Sequence, residues 1–254
     1  MNERFPSGSL TLVGHLAGVP STATAPARPA VVLVHGYPSG PAGTAGAVSA
    51  MPELADRIAD DMGFMAFSPC LRGIEGSQGD FSILGWAEDI GAAVAHLRDV
   101  APVSSVWLVG FGTGGALATC VGADDRDIRG VAALAAPADF DDWASNPKRL
   151  FEHAREIGIV SSMSNPDGWP RELRALKAVE GAQRLSPRAL LVVHGAADDV
   201  VPSFDARVIA DAHTSAELHL LDGGGHRLRH DPRAMAVLLG WLDRQRTHAV
   251  PRTA

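Results

Sequence analysis

The sequence predicts an α/β protein: a doubly wound, mostly parallel sheet with helices on both faces and a small helical lid. Three observations carry this expectation. Short apolar runs of strand length alternate with stretches of helical period along most of the 254 residues. Glycine-rich turns bearing polar or titratable residues follow directly after several of the apolar runs. The alternation breaks once, over 139–185, which has the length of a small lid. No linker composition interrupts the chain, so 1–254 reads as one domain with that insertion inside it.

In order, the strand-type runs and helical stripes are as follows. Ser9 to His15 and Ala30 to Val34, separated by a Pro- and Thr-rich loop around Ser21 to Pro29, read as the opening strands, one or two of them at the sheet edge. Pro52 to Met62 is a helix and Phe64 to Phe67 a strand. Ile83 to Leu97 is a helix because Ile83, Trp86, Ile90, Val94 and Leu97 recur on one face. The strand Val106 to Val109, the helix Gly114 to Val121 and the strand Val131 to Leu134 complete the first half. Inside the lid, helices are expected around Lys148 to Ile157 and from Pro170 to Lys177, the second with proline where a missing N–H is tolerated. The rhythm resumes with the strand Ala189 to Val193, the helix Ser203 to His213 and the strand Leu218 to Leu221. A last helix carries the stripe Met235, Leu238, Leu239 and Leu242, and the HAVPRTA tail should fray.

Composition narrows the partners. A formal charge of −7 and scattered Lys and Arg leave no basic face for nucleic acid or anionic lipid. No leader-type apolar segment and no run of membrane-spanning length occur, so a soluble, cytoplasmic protein is expected. Cys70 and Cys120 lack metal-ligand spacing and read as reduced core residues. Neither metal nor organic cofactor is expected, and the expected partner is a small molecule.

Ligands of open α/β sheets bind beyond the carboxyl ends of the strands, so the residues there are read for chemistry. His35-Gly36-Tyr37-Pro38 follows the first core strand, and its glycine lets backbone approach a ligand. Gly110-Phe111-Gly112-Thr113-Gly114 follows the next, a turn tight enough to require tiny residues on either side of its tip. His194-Gly195-Ala196-Ala197-Asp198 puts a carboxylate at the rim, and Asp222-Gly223-Gly224-Gly225-His226 an imidazole. Together HGYP, LRGIEGSQGDF, GFGTGG, GAADDVVP and GGGH resemble the α/β-hydrolase superfamily over nearly the whole chain. GFGTGG stands where the Gly-x-Ser-x-Gly nucleophile elbow belongs. The resemblance implies Asp198 as triad acid, His226 as triad base, and the backbone N–H groups of Tyr37 and Thr113, the former reached through Gly36, as an oxyanion hole. Asp139 is the alternative acid position used by some relatives.

The residue matching the nucleophilic serine is Gly112. Thr113 cannot take over, because shifting the frame puts Phe111 where a tiny residue is needed. Glycine keeps the turn and discards the attack. Neuroligins, which resemble esterases, carry glycine at this position and act by adhesion, so the substitution is compatible with more than one role. Ser39 and Ser77 are replacement nucleophiles of low weight, since both suit turns. His35 and His194 are assigned to backbone hydrogen bonds, and Trp143 and His153 to lid packing. Three readings stay open. In the first, an enzyme acts on a small ester or carbonyl compound by Asp198-His226 activation of water, or by proton transfer in lyase or isomerase chemistry. In the second, a silent pseudo-hydrolase binds a small molecule. The third is a serine-to-glycine variant of a serine esterase.

Overall fold

A computed structural model describes residues 2–20, 25–39 and 43–249. In chain order these form β1 (Asn2–Ser7), β2 (Leu10–Ala17), β3 (Arg28–Val34), α1 (Gly43–Val48), α2 (Met51–Met62), β4 (Met65–Cys70), α3 (Ile83–Val100), β5 (Val103–Phe111), α4 (Thr113–Asp124) and β6 (Ile128–Leu134). The insertion then supplies α5 (Asp141–Ser145), α6 (Pro147–Glu156) and α7 (Trp169–Ala175). It is followed by α8 (Ala178–Leu185), β7 (Ala189–Gly195), α9 (Ser203–Asp211), β8 (Glu217–Leu221) and α10 (Pro232–Ala249).

The eight strands make one sheet in the order β1-β2-β4-β3-β5-β6-β7-β8. Strands β4, β3, β5, β6, β7 and β8 are parallel, while β2 runs antiparallel to both β1 and β4. The crossing order around β3 and β4 is what winds the chain in both directions and opens a crevice at the strand ends.

Strand periodicity decides which residue faces which helical layer. Val32, Val34, Leu108, Val131, Ala133 and Val192 point to the layer containing α3, α4, α8 and α9. Their neighbours Val31, Leu33, Val109, Ala132, Leu134 and Val193 point to α2 and α10. Both sheet faces are thereby covered, which is why the central strands read as continuous apolar runs rather than as alternating ones. The predicted α3 stripe is buried throughout. In α10, Trp241 joins Leu238 and Leu242 in the core, while Leu239 is half-buried.

Several sequence expectations require correction. The strand at Ala30 to Val34 is interior rather than at the edge. The edge strand is β1, which the sequence hides because Asn2, Glu3, Arg4 and Pro6 dilute a pattern that buries only Phe5 and Ser7. Helices α1, α5 and α8 were not anticipated. The first two are too short to show a period, and α8 packs on α4 and β7 as a sheet-covering helix. Cys70 is half-buried rather than in the core, whereas Cys120 is buried, and both are free thiols. The tail expected to fray from His248 begins inside α10, and residues from 250 on lie outside the described residues, as does part of the 21–29 loop. No helix among the described residues is long and apolar enough to cross a membrane.

Candidate active site

Strand β5 enters a tight, glycine-rich turn. Gly112 has φ +54° and ψ −127°, a conformation that L side chains rarely adopt, and its N–H donates to the Leu134 carbonyl at 2.8 Å. A Cβ at Gly110 would collide with the Gly114 carbonyl, and one at Gly114 with the His35 carbonyl. The bend therefore locks β5, α4 and the end of β3 together. It leaves Thr113 as the first residue of α4, whose N–H is one of those a helix cannot satisfy internally.

The turn between β7 and α9 carries Asp198, whose side chain is 0% exposed. Its Oδ1 accepts hydrogen bonds from the Val200 and Val201 N–H groups, both at 2.9 Å. Its Oδ2 lies 2.9 Å from His226 Nδ1 and 3.1 Å from His194 Nε2. Burial by itself would raise this carboxyl's pKa, but the bonds from His194, His226, Val201 and Val200 outweigh it and hold the pKa well below the usual carboxylate range. Asp198 is thus an anion with its lone pairs occupied, and it does not cap α9.

These bonds also set the tautomers. His226 Nδ1 faces an anion and must carry the proton, so Nε2 presents a lone pair. A Cβ built at Gly112 would stand 3.5 Å from that Nε2 and 3.9 Å from Gly36 Cα. His194 Nε2 sits between Asp198 Oδ2 and the Val201 carbonyl, at 3.0 Å from the latter, so it donates and holds the same carboxylate oxygen that His226 meets. The sequence reading gave His194 only a backbone bond. The four-residue spacing from His194 to Asp198 was the available signal, but turn geometry rather than helix geometry makes that pair meet.

His35 is fully buried. Its Nδ1 lies 2.9 Å from the Gly36 carbonyl and its Nε2 accepts from the Leu71 N–H at 3.1 Å. Burial pushes its pKa down to about 4, with the Gly36 bond opposing, and it is a neutral strut under the β3 end.

A cavity of about 340 Å³ joins these parts, lined by Gly36, Tyr37, Gly112, Thr113 and His226, with Asp198 behind the imidazole. Tyr37 meets Trp143 of α5 at 4.9 Å between ring centres and Phe81 at 5.3 Å, and its hydroxyl is 3.4 Å from His153 Nδ1 of α6. Burial pushes the phenol's pKa up. The insertion is also tied down away from the cavity, where Ser161 N–H and Oγ donate to Asp80 at 3.0 and 2.7 Å and Phe81 N–H donates to the Ile159 carbonyl.

The remaining sequence candidates fall elsewhere. Asp139 lines the cavity but accepts from the Asp141 N–H at 2.9 Å, and His226 is paired with Asp198 instead. Ser77 donates to the Cys70 carbonyl and accepts from the Val13 N–H, which is turn work. Ser39 is exposed at the cavity lining. Sequence reasoning passed over Arg227 and Arg229, which also line the cavity, because single arginines carry no periodic or motif signal.

No protein-family description matches this chain, and no curated protein matches it. Solved structures do. Est1E from Butyrivibrio proteoclasticus with bound ferulic acid is 15% identical, with a TM-score of 0.74 over 97% of this chain and 99% of that one. The α/β hydrolase GrgF from Penicillium sp. sh18 is 18% identical, with a TM-score of 0.74 over 98% of each chain. A serine-to-alanine variant of the meta-cleavage product hydrolase CumD from Pseudomonas fluorescens IP01, complexed with acetates, is 17% identical, with a TM-score of 0.68 over 98% of each chain. The chain therefore has the α/β-hydrolase fold. That defines its architecture and not its chemistry.

Proposed function

We propose that this protein turns over a small ester or carbonyl compound by His226-assisted attack of water, without an acyl-enzyme. The observation that carries the reading is the short, oriented relay from buried Asp198 through His226 to the face of Gly112. Glycine leaves the elbow without a side chain where it faces Nε2, and the cavity that Gly112 and His226 both line has room for a water within hydrogen-bond reach of that nitrogen.

Nε2 takes a proton from that water as its oxygen bonds to the substrate carbonyl carbon. The carbonyl electron pair moves onto oxygen, where the N–H groups of Tyr37 and Thr113 stabilise it. Collapse re-forms the carbonyl and expels the alkoxide, which recovers the proton from Nε2. Asp198 stays ionised throughout and stabilises the transient imidazolium. A cavity of about 340 Å³ suits a small-molecule substrate.

The test is ester turnover by the unaltered protein beside His226→Ala and Asp198→Asn. We expect kcat to fall by about 10² or more in the histidine variant, the usual worth of a positioned general base. An unchanged rate would contradict the reading. A second reading, a pseudo-hydrolase that binds a small carbonyl ligand, is favoured by the absence of any nucleophilic side chain at Gly112 itself. Saturable ligand binding with no His226-dependent turnover would establish it.

A further inference from the structure

The turn after His226 brings Arg227 and Arg229 to the cavity wall. Among the described residues neither arginine has a carboxylate within ion-pair distance, whereas Arg233, just beyond, is clamped to Asp231 at 2.7 Å. Arg229 is half-buried and held in place. Its Nη1 donates to the Ala47 carbonyl at 3.3 Å, its Nη2 to the Gly46 carbonyl, and its Nε to His230 Nε2 at 3.1 Å. Three of five N–H groups are thereby used, leaving one on each terminal nitrogen.

Those carbonyls end α1, and a cation there is favourable. That accounts for how Arg229 is anchored but not for its charge, since two neutral carbonyls of a six-residue helix do not neutralise a guanidinium. Arg227 is exposed at the cavity lining, where solvent meets its charge, so the partly buried Arg229 is the one that lacks a counter-charge. Burial and repulsion from Arg227 both lower the proton affinity of Arg229, so the pair is two like charges with no counter-charge of their own. The field of Arg229 also reaches His35, which places it near the β3 end that carries Gly36. The carboxylates that line the same cavity do not compensate it. Asp139 and Asp205 are turned to the backbone N–H groups of Asp141 and Ala138, and neither they nor Asp142 form an ion pair with either arginine.

We propose that Arg229, assisted by Arg227, is a specificity-determining site for a carboxylate on the ligand, so that the cavity selects monoanionic, carboxylate-bearing compounds over neutral ones. A fixed guanidinium with an unused donor on each terminal nitrogen can give charge-assisted hydrogen bonds to a carboxylate, and the bound anion supplies the missing counter-charge. For turnover, this inference rests on the hydrolytic reading above. For binding, it stands by itself.

The experiment uses the unaltered protein titrated calorimetrically, at constant ionic strength, with 3-phenylpropionate and with its neutral amide. We expect the anion to bind roughly tenfold or more tightly than the amide, as hydrogen bonds to charged groups require. Arg229→Gln should abolish that difference, Arg229→Lys should retain part of it, and Arg227→Gln should reduce it. Melting curves establish that each variant is folded, and Arg229→Lys, which keeps the charge, carries the test if Arg229→Gln does not fold. Equal affinities for anion and amide, no binding of either, or an anion preference that survives loss of the Arg229 charge would each overturn the inference. Turnover of neutral 4-nitrophenyl butyrate, with and without His226, is measured in parallel. Loss of that activity alone indicts the hydrolytic reading, and loss of the anion preference alone indicts the arginine site.

Discussion

At the scale of single residues, what counts is which atoms are held and which are offered. Asp198 spends its oxygens on His194, His226 and two backbone N–H groups, and the ring nitrogen of His226 left on the cavity side is Nε2. Among the described residues no serine is hydrogen-bonded to His226 or Asp198. Ser77 is bound on both sides of its hydroxyl, and Ser39 is an exposed residue at the cavity lining. Fluorophosphonate probes, which need an activated serine, should therefore leave the protein unmodified. Intact-mass measurement checks this, and stoichiometric labelling mapped to Ser39 or Ser77 would reveal a relocated nucleophile. That Gly112, Asp198 and His226 gather at one crevice was legible in the sequence because each follows a strand within a few residues. The support from His194 and the two cavity arginines was not, because they act through folded-state distances that no spacing encodes.

At the scale of elements, the glycine turn after β5 is a packing device. Gly114→Ala drives a Cβ into the His35 carbonyl at the seam of β3 and α4, where backbone cannot yield as a side chain can. A loss of about 1–3 kcal/mol is expected, the usual cost of overpacking. Gly91 is the matched control: it is exposed in mid-α3 with nothing near its missing Cβ. Gly91→Ala should stabilise by about 0.5–1 kcal/mol through helix propensity. Denaturant midpoints measure both, and equal effects would mean that the elbow is not sterically locked. The sequence signals for α3 and β5 were strong because a long stripe and an uninterrupted apolar run each oversample their period. Those for β1, α1 and α5 were weak because a strand of six residues with two buried side chains, or a single helical turn, does not.

For the whole molecule, pH reads out how the site was built into the core. His35 has a folded pKa of about 4 against an ordinary 6.5, so the folded state binds its proton less readily than the unfolded state does. Its contribution is complete above pH 6.5 and is lost as pH falls toward 4. Asp198, also depressed, adds a loss below the ordinary aspartate pKa of 3.8. The unfolding free energy should drop by about 2 kcal/mol from this histidine between pH 8 and pH 5. His35→Gln, whatever its own cost, should flatten that dependence, and an unchanged slope would show that His35 is not the group responsible.

The central claim is that loops from β3, β5, β7 and β8 assemble a hydrolase site lacking one side chain. Gly112→Ser tests it most directly. A serine Cβ would stand 3.5 Å from His226 Nε2, one bond short of a hydroxyl within its reach, beside the Thr113 N–H. Ester turnover should appear above that of the unaltered protein and vanish in the Gly112→Ser, His226→Ala double variant. Stability should fall by about 1–3 kcal/mol because serine must adopt a conformation that glycine accepts freely. A folded Gly112→Ser protein with no His226-dependent esterase activity would contradict the claim.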